Sequence, residues 1–325
     1  MPKPTVFVTR KIAAEALDRL TAHAQVETWE QEDPPPQDVL LEKAARVEGL
    51  LTLLTDKIDA VLIDSAPNLK VISQMAVGFD NIDIAAATRK GIPVGNTPGV
   101  LTETTADFAW ALMMAAARRV VEADKEVREG IWRAWGPDVL TGYDVYGATL
   151  GIIGFGRIGQ AMARRARGFN MRILYNDPHC GHEAGVETGA ECVSLDELLA
   201  QSDFVTLHTY LSDETYHLIG REEFAKMKPT AVLVNTARGP VVDPDALNWA
   251  LRSGKIAAAA LDVTEPEPIP RDSPLLSLKN IVIAPHIASA SKATRLRMAQ
   301  MAVDNLLAGL QGERLPNCAN PQVYG

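Results

Sequence analysis

The chain of 325 residues predicts an α/β protein of two domains, each built on a parallel sheet. Three observations carry this. Short β-branched or apolar runs alternate with helical patterns from the first residues onward. The runs are apolar along their whole length, as in strands covered on both faces. The length also exceeds what one ordinary core accommodates.

The first series reads TVFVT, a helix in IAAEALDRL, QVETW, a helix near 39–47, GLLTLL, KVISQM, a helix near 83–90 and the turn GIPVGNTPG. Residues 102–130, with ADFAWALMMAAARRVVEADKEVRE, predict one long helix, apolar in its first half and charged in its second. Such a helix is a packing spine, with a subunit interface as the further reading. A second series follows in ATLGIIG, MRILYND, FVTLH, AVLVNT, IAAAALDV and NIVIAPH. Ser194 with Glu197 forms a capping box, and Asp243 and Pro244 open a helix that Gly254 closes. The last helix, 291–310, has no further strand to serve and is expected to cross back to the first domain. The expected domains are therefore 1–100 with 288–325, which is discontinuous, and 101–287.

Composition narrows the function. Hydrophobic residues make up 47% and charged residues 22%, a globular balance. A formal net charge of −9 weighs against nucleic acid and anionic membrane surfaces as partners and favours a small molecule. The basic cluster Arg164, Arg165 and Arg167 reads as a solvated helix face. Cys180, Cys192 and Cys318 are odd in number and lack paired spacing, so neither a disulfide framework nor a metal site is expected. The stretch His179-Cys180-Gly181-His182 reads as a polar loop. No signal peptide or membrane span is evident, and a cytoplasmic location is the expectation.

The strongest local signal is Gly154-Phe155-Gly156-Arg157-Ile158-Gly159, between the strand ATLGII and the helix IGQAMARRARGF. Glycines there permit a tight turn and close backbone approach, and the helix N-terminus offers free N–H groups to a pyrophosphate. This identifies the second domain as a dinucleotide-binding Rossmann domain. Asp177, ending MRILYND, stands where an acid accepts hydrogen bonds from the adenosine ribose hydroxyls. A carboxylate repels the 2′-phosphate of NADP, so NAD(H) is favoured over NADP(H). Downstream, NTARGP around Arg238, LDVTEPEP around Glu267 and APHIASAS around His286 each follow a predicted strand, where polar residues point into the ligand crevice. Any one of the three alone would more often be a surface or capping residue; the constellation is what argues for catalysis.

These segments, in this order after a dinucleotide fingerprint, resemble the D-isomer-specific 2-hydroxyacid dehydrogenase family over nearly the whole chain. KVISQMAVGFDNIDIAAATRKGIPVGNTPGVLTETTADFA and the stretch from GIWRAW to GFGRIG are most similar to glyoxylate and hydroxypyruvate reductases. The resemblance implies a flavodoxin-like first domain, a small 2-keto or 2-hydroxy acid substrate and a homodimer. It implies that Arg238 binds the substrate carboxylate and keto oxygen, that His286 is the acid or base, and that Glu267 orients the imidazole. The backbone N–H groups of Val77 and Gly78 would form a second carboxylate clamp. Thr105 would lie near the nicotinamide, Arg157 and Ile158 at the pyrophosphate, Thr236 and Ala237 beside the ring and Asp262 on its carboxamide. Trp135 matches a tryptophan that such reductases push into a neighbouring subunit's active site, with Trp132 competing, and Arg295 is a further substrate-side candidate. Many reductases of this subgroup carry basic or hydroxyl residues after the second strand and prefer NADPH; Asn176-Asp177-Pro178-His179 departs from that pattern.

Related formate enzymes pair the histidine with glutamine, and phosphite enzymes place a lysine where this chain has Val77, so Glu267 and Val77 argue against both. The alternatives are another 2-keto acid reductase of the family and, from a different class, a dinucleotide-sensing binding protein on the same scaffold.

Overall fold

A computed structural model describes residues 2–181 and 183–325; His182, in the polar loop noted above, lies outside the described residues. The chain divides into two compact units, Met1–Leu101 with Ala290–Gly325, and Thr102–Ser289.

The first unit holds β1 (Thr5–Val8), β2 (Gln25–Thr28), β3 (Gly49–Thr52), β4 (Val71–Gln74) and β5 (Val94–Gly95). They pair in the order β2-β1-β3-β4-β5, every pair parallel, which is the flavodoxin-like order. Successive side chains of a strand point to opposite faces. Val6 and Val8 accordingly pack with Leu20, Met298, Val303 and Leu306 on one side, while Phe7, Leu50 and Ile72 pack with Leu40, Leu62 and Ile63 on the other. The helix Lys292–Leu310 thus belongs to this unit, and Ser73 Oγ donates to Ala302 O at 2.7 Å along it.

The second unit holds β6 (Thr149–Ile153), β7 (Arg172–Asn176), β8 (Glu191–Cys192), β9 (Phe204–Leu207), β10 (Val232–Asn235), β11 (Ala258–Leu261) and β12 (Ile281–Ile283). Their order is β12-β11-β10-β9-β6-β7-β8, again all parallel. The direction of winding reverses between β6 and β9, and in open α/β sheets the crevice at such a switch point binds ligands. Both faces are covered: Val232 and Val234 enter one core, Leu233 the other. Ser194 and Glu197 form the capping box, and Asp243 caps the helix Pro244–Arg252 through the N–H groups of Asp245 and Ala246.

Two expectations are corrected. The helix predicted over 102–130 is two, Thr102–Ala117 and Val120–Arg128, with Arg119 in the left-handed region between them. The N–H of Tyr143 takes the carbonyl of Ala117 at 2.9 Å, so that carbonyl cannot carry the ladder onward. Cys180 and Cys192 are joined by a disulfide, Cα–Cα 5.9 Å, because the helix Glu183–Thr188 turns the chain back on itself between them. In the basic cluster Arg164 and Arg167 are exposed and Arg165 is half-buried, which fits a solvated helix face; Arg164 pairs there with Glu103, and Arg165 with Glu103 and Asp107. Among the described residues, no helix is long and apolar enough to cross a membrane.

Candidate active site

Gly154 follows β6 directly; its φ of +88° suits glycine, and a Cβ there would press within 2.8 Å of the His208 carbonyl carbon. A Cβ on Gly159 would run into the carbonyl oxygen of Gly154. A Cβ on Gly156, by contrast, would meet nothing within 4 Å, so the start of the helix Arg157–Gly168 faces open space. Arg157, Ile158 and Gly159 supply the first N–H groups of that helix, and an anionic pyrophosphate fits such a cradle. Asp177 follows β7 directly: its Oδ2 accepts the Phe155 N–H at 2.7 Å and its Oδ1 the His179 N–H at 2.9 Å. The ribose candidate is therefore tied to the glycine loop itself. The disulfide anchors the same post-β7 loop to β8.

The remaining candidates stand at the carboxyl ends of three neighbouring strands. After β10 come Thr236, Ala237 and Arg238. Buried Asn235 braces them, its Oδ1 accepting the Ala237 N–H at 3.0 Å and its Nδ2 donating to Arg238 O at 2.8 Å. After β11 comes Asp262, only 1% exposed, whose oxygens accept the N–H groups of Ile287 at 2.7 Å and Ala288 at 2.8 Å. Burial pushes its carboxyl above the ordinary range, against which those two N–H groups work. After β12 comes His286, with φ of +55°, unusual for a residue bearing a side chain. Its N–H donates to Asp262 O at 2.8 Å, so Asp262 grips His286, Ile287 and Ala288 in succession and sustains the strained backbone.

That backbone delivers the imidazole to Glu267. His286 Nδ1 lies 2.6 Å from Glu267 Oε1, with the imidazole half-buried and the carboxylate exposed. The arrangement leaves the other ring nitrogen, Nε2, for chemistry. Thr105 is buried on the helix Thr102–Ala117, and Thr236 Oγ1 is buried with no hydrogen-bond partner among the described residues.

Sequence reasoning missed a second carboxylate–histidine pair. His217 Nε2 lies 2.7 Å from Glu265 Oε2, and the Tyr216 ring stacks on His217 at 4.0 Å. The His217 N–H also donates to Pro240 O at 2.7 Å. A Cβ on Gly239 would collide with the Thr264 carbonyl, so the turn after Arg238 and the loop before Glu267 are in backbone contact. His217 ties that turn to that loop. Burial holds His208 down at about 3, which keeps it neutral near pH 7 and unsuited to proton transfer.

Val77, Gly78 and Arg295 belong to the first unit: Val77 and Gly78 in the loop after β4, Arg295 in the first turn of the last helix, all half-buried. Trp135 and Trp132, in the second unit, are 83% and 59% exposed. Among the described residues, no cluster of His, Cys, Asp and Glu is suited to hold a metal ion.

Residues 110–288 match the model of the D-isomer specific 2-hydroxyacid dehydrogenase NAD binding domain. A glyoxylate reductase of Korarchaeum cryptofilum (strain OPF8) is 56% identical over 322 residues, 99% of this chain and 97% of the relative. The crystal structure of the TT0316 protein from Thermus thermophilus superposes with a TM-score of 0.92 at 47% identity, covering 97% of this chain and 99% of the other. That of a glyoxylate reductase from Paecilomyes thermophila gives 0.87 at 34% identity, covering 99% and 100%.

Proposed function

Because the chain belongs to the D-isomer-specific 2-hydroxyacid dehydrogenase family, whose enzymes are nicotinamide-dinucleotide oxidoreductases, we propose that it reduces glyoxylate or hydroxypyruvate to the 2-hydroxy acid. The observation that carries the reading is the 2.6 Å contact of Glu267 with His286 Nδ1, beside Arg238 at the next strand ends of one sheet.

The bound coenzyme supplies the hydride to the keto carbon. The chain does the rest. Arg238 binds the substrate carboxylate and keto oxygen through its planar donor fork and stabilises the charge that grows on that oxygen. Glu267 fixes the ring through Nδ1, so His286 Nε2 donates the proton to the oxygen during reduction and takes it back during oxidation. The N–H groups of Val77 and Gly78 bind the same carboxylate, and Arg295 and Trp135 are further substrate-side residues.

Gly154, Gly156, Arg157, Ile158 and Gly159 hold the pyrophosphate, and Thr105, Thr236 and Ala237 flank the nicotinamide. Asp262 serves its carboxamide through the lone pairs left after the Ile287 and Ala288 N–H groups are accepted. Asp177 takes the ribose hydroxyls and excludes a 2′-phosphate, which favours NAD(H). A second copy of the chain covers the exposed Trp132 and Trp135 in a homodimer.

A rate panel tests this: glyoxylate, hydroxypyruvate, pyruvate and phenylpyruvate, each with NADH and NADPH, on protein whose mass in solution is measured by sedimentation. Fastest turnover on glyoxylate and hydroxypyruvate with NADH, by a dimer, is the expected result. Asp177→Ala should raise the KM for NADH about tenfold or more and that for NADPH less. Equal changes for both coenzymes contradict the ribose assignment, and a monomer contradicts the dimer.

A further inference from the structure

Two peptide groups in the loop after β4 carry the Val77 and Gly78 N–H groups. A planar trans peptide points its N–H opposite to its C=O, so whatever holds the carbonyl aims the N–H. Ala76 O, in the peptide that carries the Val77 N–H, accepts the Thr97 N–H at 2.8 Å. Val77 O, in the peptide that carries the Gly78 N–H, accepts Asn96 Nδ2 at 2.9 Å. Both N–H groups are thus aimed by adjacent residues of the GNTPG turn that follows β5.

Asn96 is itself held from behind. Its carbonyl accepts Asn305 Nδ2 at 2.9 Å, and its N–H donates to Asn317 O at 3.2 Å. Asn305, with no exposed surface, accepts the Asn317 N–H on Oδ1 at 2.9 Å. Gly95 makes room for this: a Cβ there would lie 2.6 Å from Asn305 Cβ. A chain of neutral amides therefore runs from the last helix through Asn305 and Asn96 to the Val77 carbonyl. Gln74 supports the loop from the other side, its Nε2 donating to Asn81 Oδ1 at 2.7 Å while its Oε1 accepts the Thr52 hydroxyl at 2.7 Å. Being neutral, these amides hold the peptides without setting a competing charge beside an anion, and the hydrogen bonds that link them from one to the next restrict the loop.

We propose that Asn96 is the positioning residue for the substrate carboxylate, aiming the Gly78 N–H through its hydrogen bond to Val77 O, with Asn305 holding Asn96 in place. This rests on the reading that Val77 and Gly78 clamp that carboxylate.

The test compares Asn96→Asp, which keeps the shape but has no donor, and Asn96→Ser, a milder change should the first fold poorly, using glyoxylate and its neutral methyl ester. The expected result is a KM for glyoxylate raised about 10- to 100-fold with kcat reduced far less. The KM for NADH and the kcat/KM for the ester should stay within twofold of the parent. A glyoxylate KM within twofold of the parent overturns the proposal. So does a parallel fall for acid, ester and NADH, which is the signature of general disorder. If instead the parent protein reduces the ester as efficiently as the acid, the clamp reading itself fails, whatever Asn96 does.

Discussion

The two units share one plan, a parallel sheet covered on both faces, yet their strand ends are furnished differently. In the second unit the ends of β10, β11 and β12 bear Arg238, Asp262, Glu267 and His286, charged or titratable groups. In the first unit the loops after β4 and β5 bear backbone N–H groups held by Asn96, Gln74 and Asn305, all neutral. Under the proposed function the contrast separates two tasks. Moving a proton and gathering charge need side chains whose protonation and charge matter. Holding an anion needs only donors kept in one orientation. The backbone differs in step: His286 sits at φ +55°, kept there by the grip of Asp262 on three successive N–H groups.

Substitutions in the two units should therefore fail in different kinetic parameters. The largest effect belongs to the charged set: Arg238→Ala should lower kcat/KM for glyoxylate about 10²- to 10³-fold, with kcat falling as well as KM rising. Arg238→Lys, which keeps the charge without the planar fork, should recover only part. A loss confined to KM would reduce Arg238 to a binding group and erase the contrast with Asn96.

A smaller effect concerns stability of the second unit. Burial lowers His208 from its ordinary 6.5 to about 3. As pH falls below 6.5, the unfolded chain takes up a proton there and the folded chain does not, so stability is lost through the window from 6.5 down to 3. The loss is on the order of 2 kcal/mol between pH 6.5 and pH 5. Urea unfolding of His208→Gln at pH 7.5 and pH 5 should show a correspondingly flatter acid dependence. An unchanged acid dependence would contradict the assignment.

The fold class was legible because apolar strands covered on both faces leave continuous hydrophobic runs, and because Ser194, Asp243 and the glycine loop mark helix starts by local chemistry. The break at Arg119 was hidden: the run from 102 to 130 has helical composition throughout, and what ends the first helix is a hydrogen bond from Tyr143, far along the chain. The Cys180–Cys192 bond was hidden for a like reason, since the short helix that returns the chain lies between the two cysteines. Arg238, Glu267 and His286 drew notice because their residue types carry chemistry. Asn96, Asn305 and Asn235 did not, since amides read as turn or surface residues until their partners, up to 209 positions away, are known; His217 follows no predicted strand, and only the fold brings it to Glu265, 48 positions on.

In the proposed reaction His286, oriented by Glu267, transfers the proton. Steady-state NADH oxidation by His286→Ala with saturating glyoxylate tests it most directly. The expected result is a kcat lower by about 10²- to 10⁴-fold, with the dissociation constant for NADH unchanged. Turnover at the parent rate would contradict it.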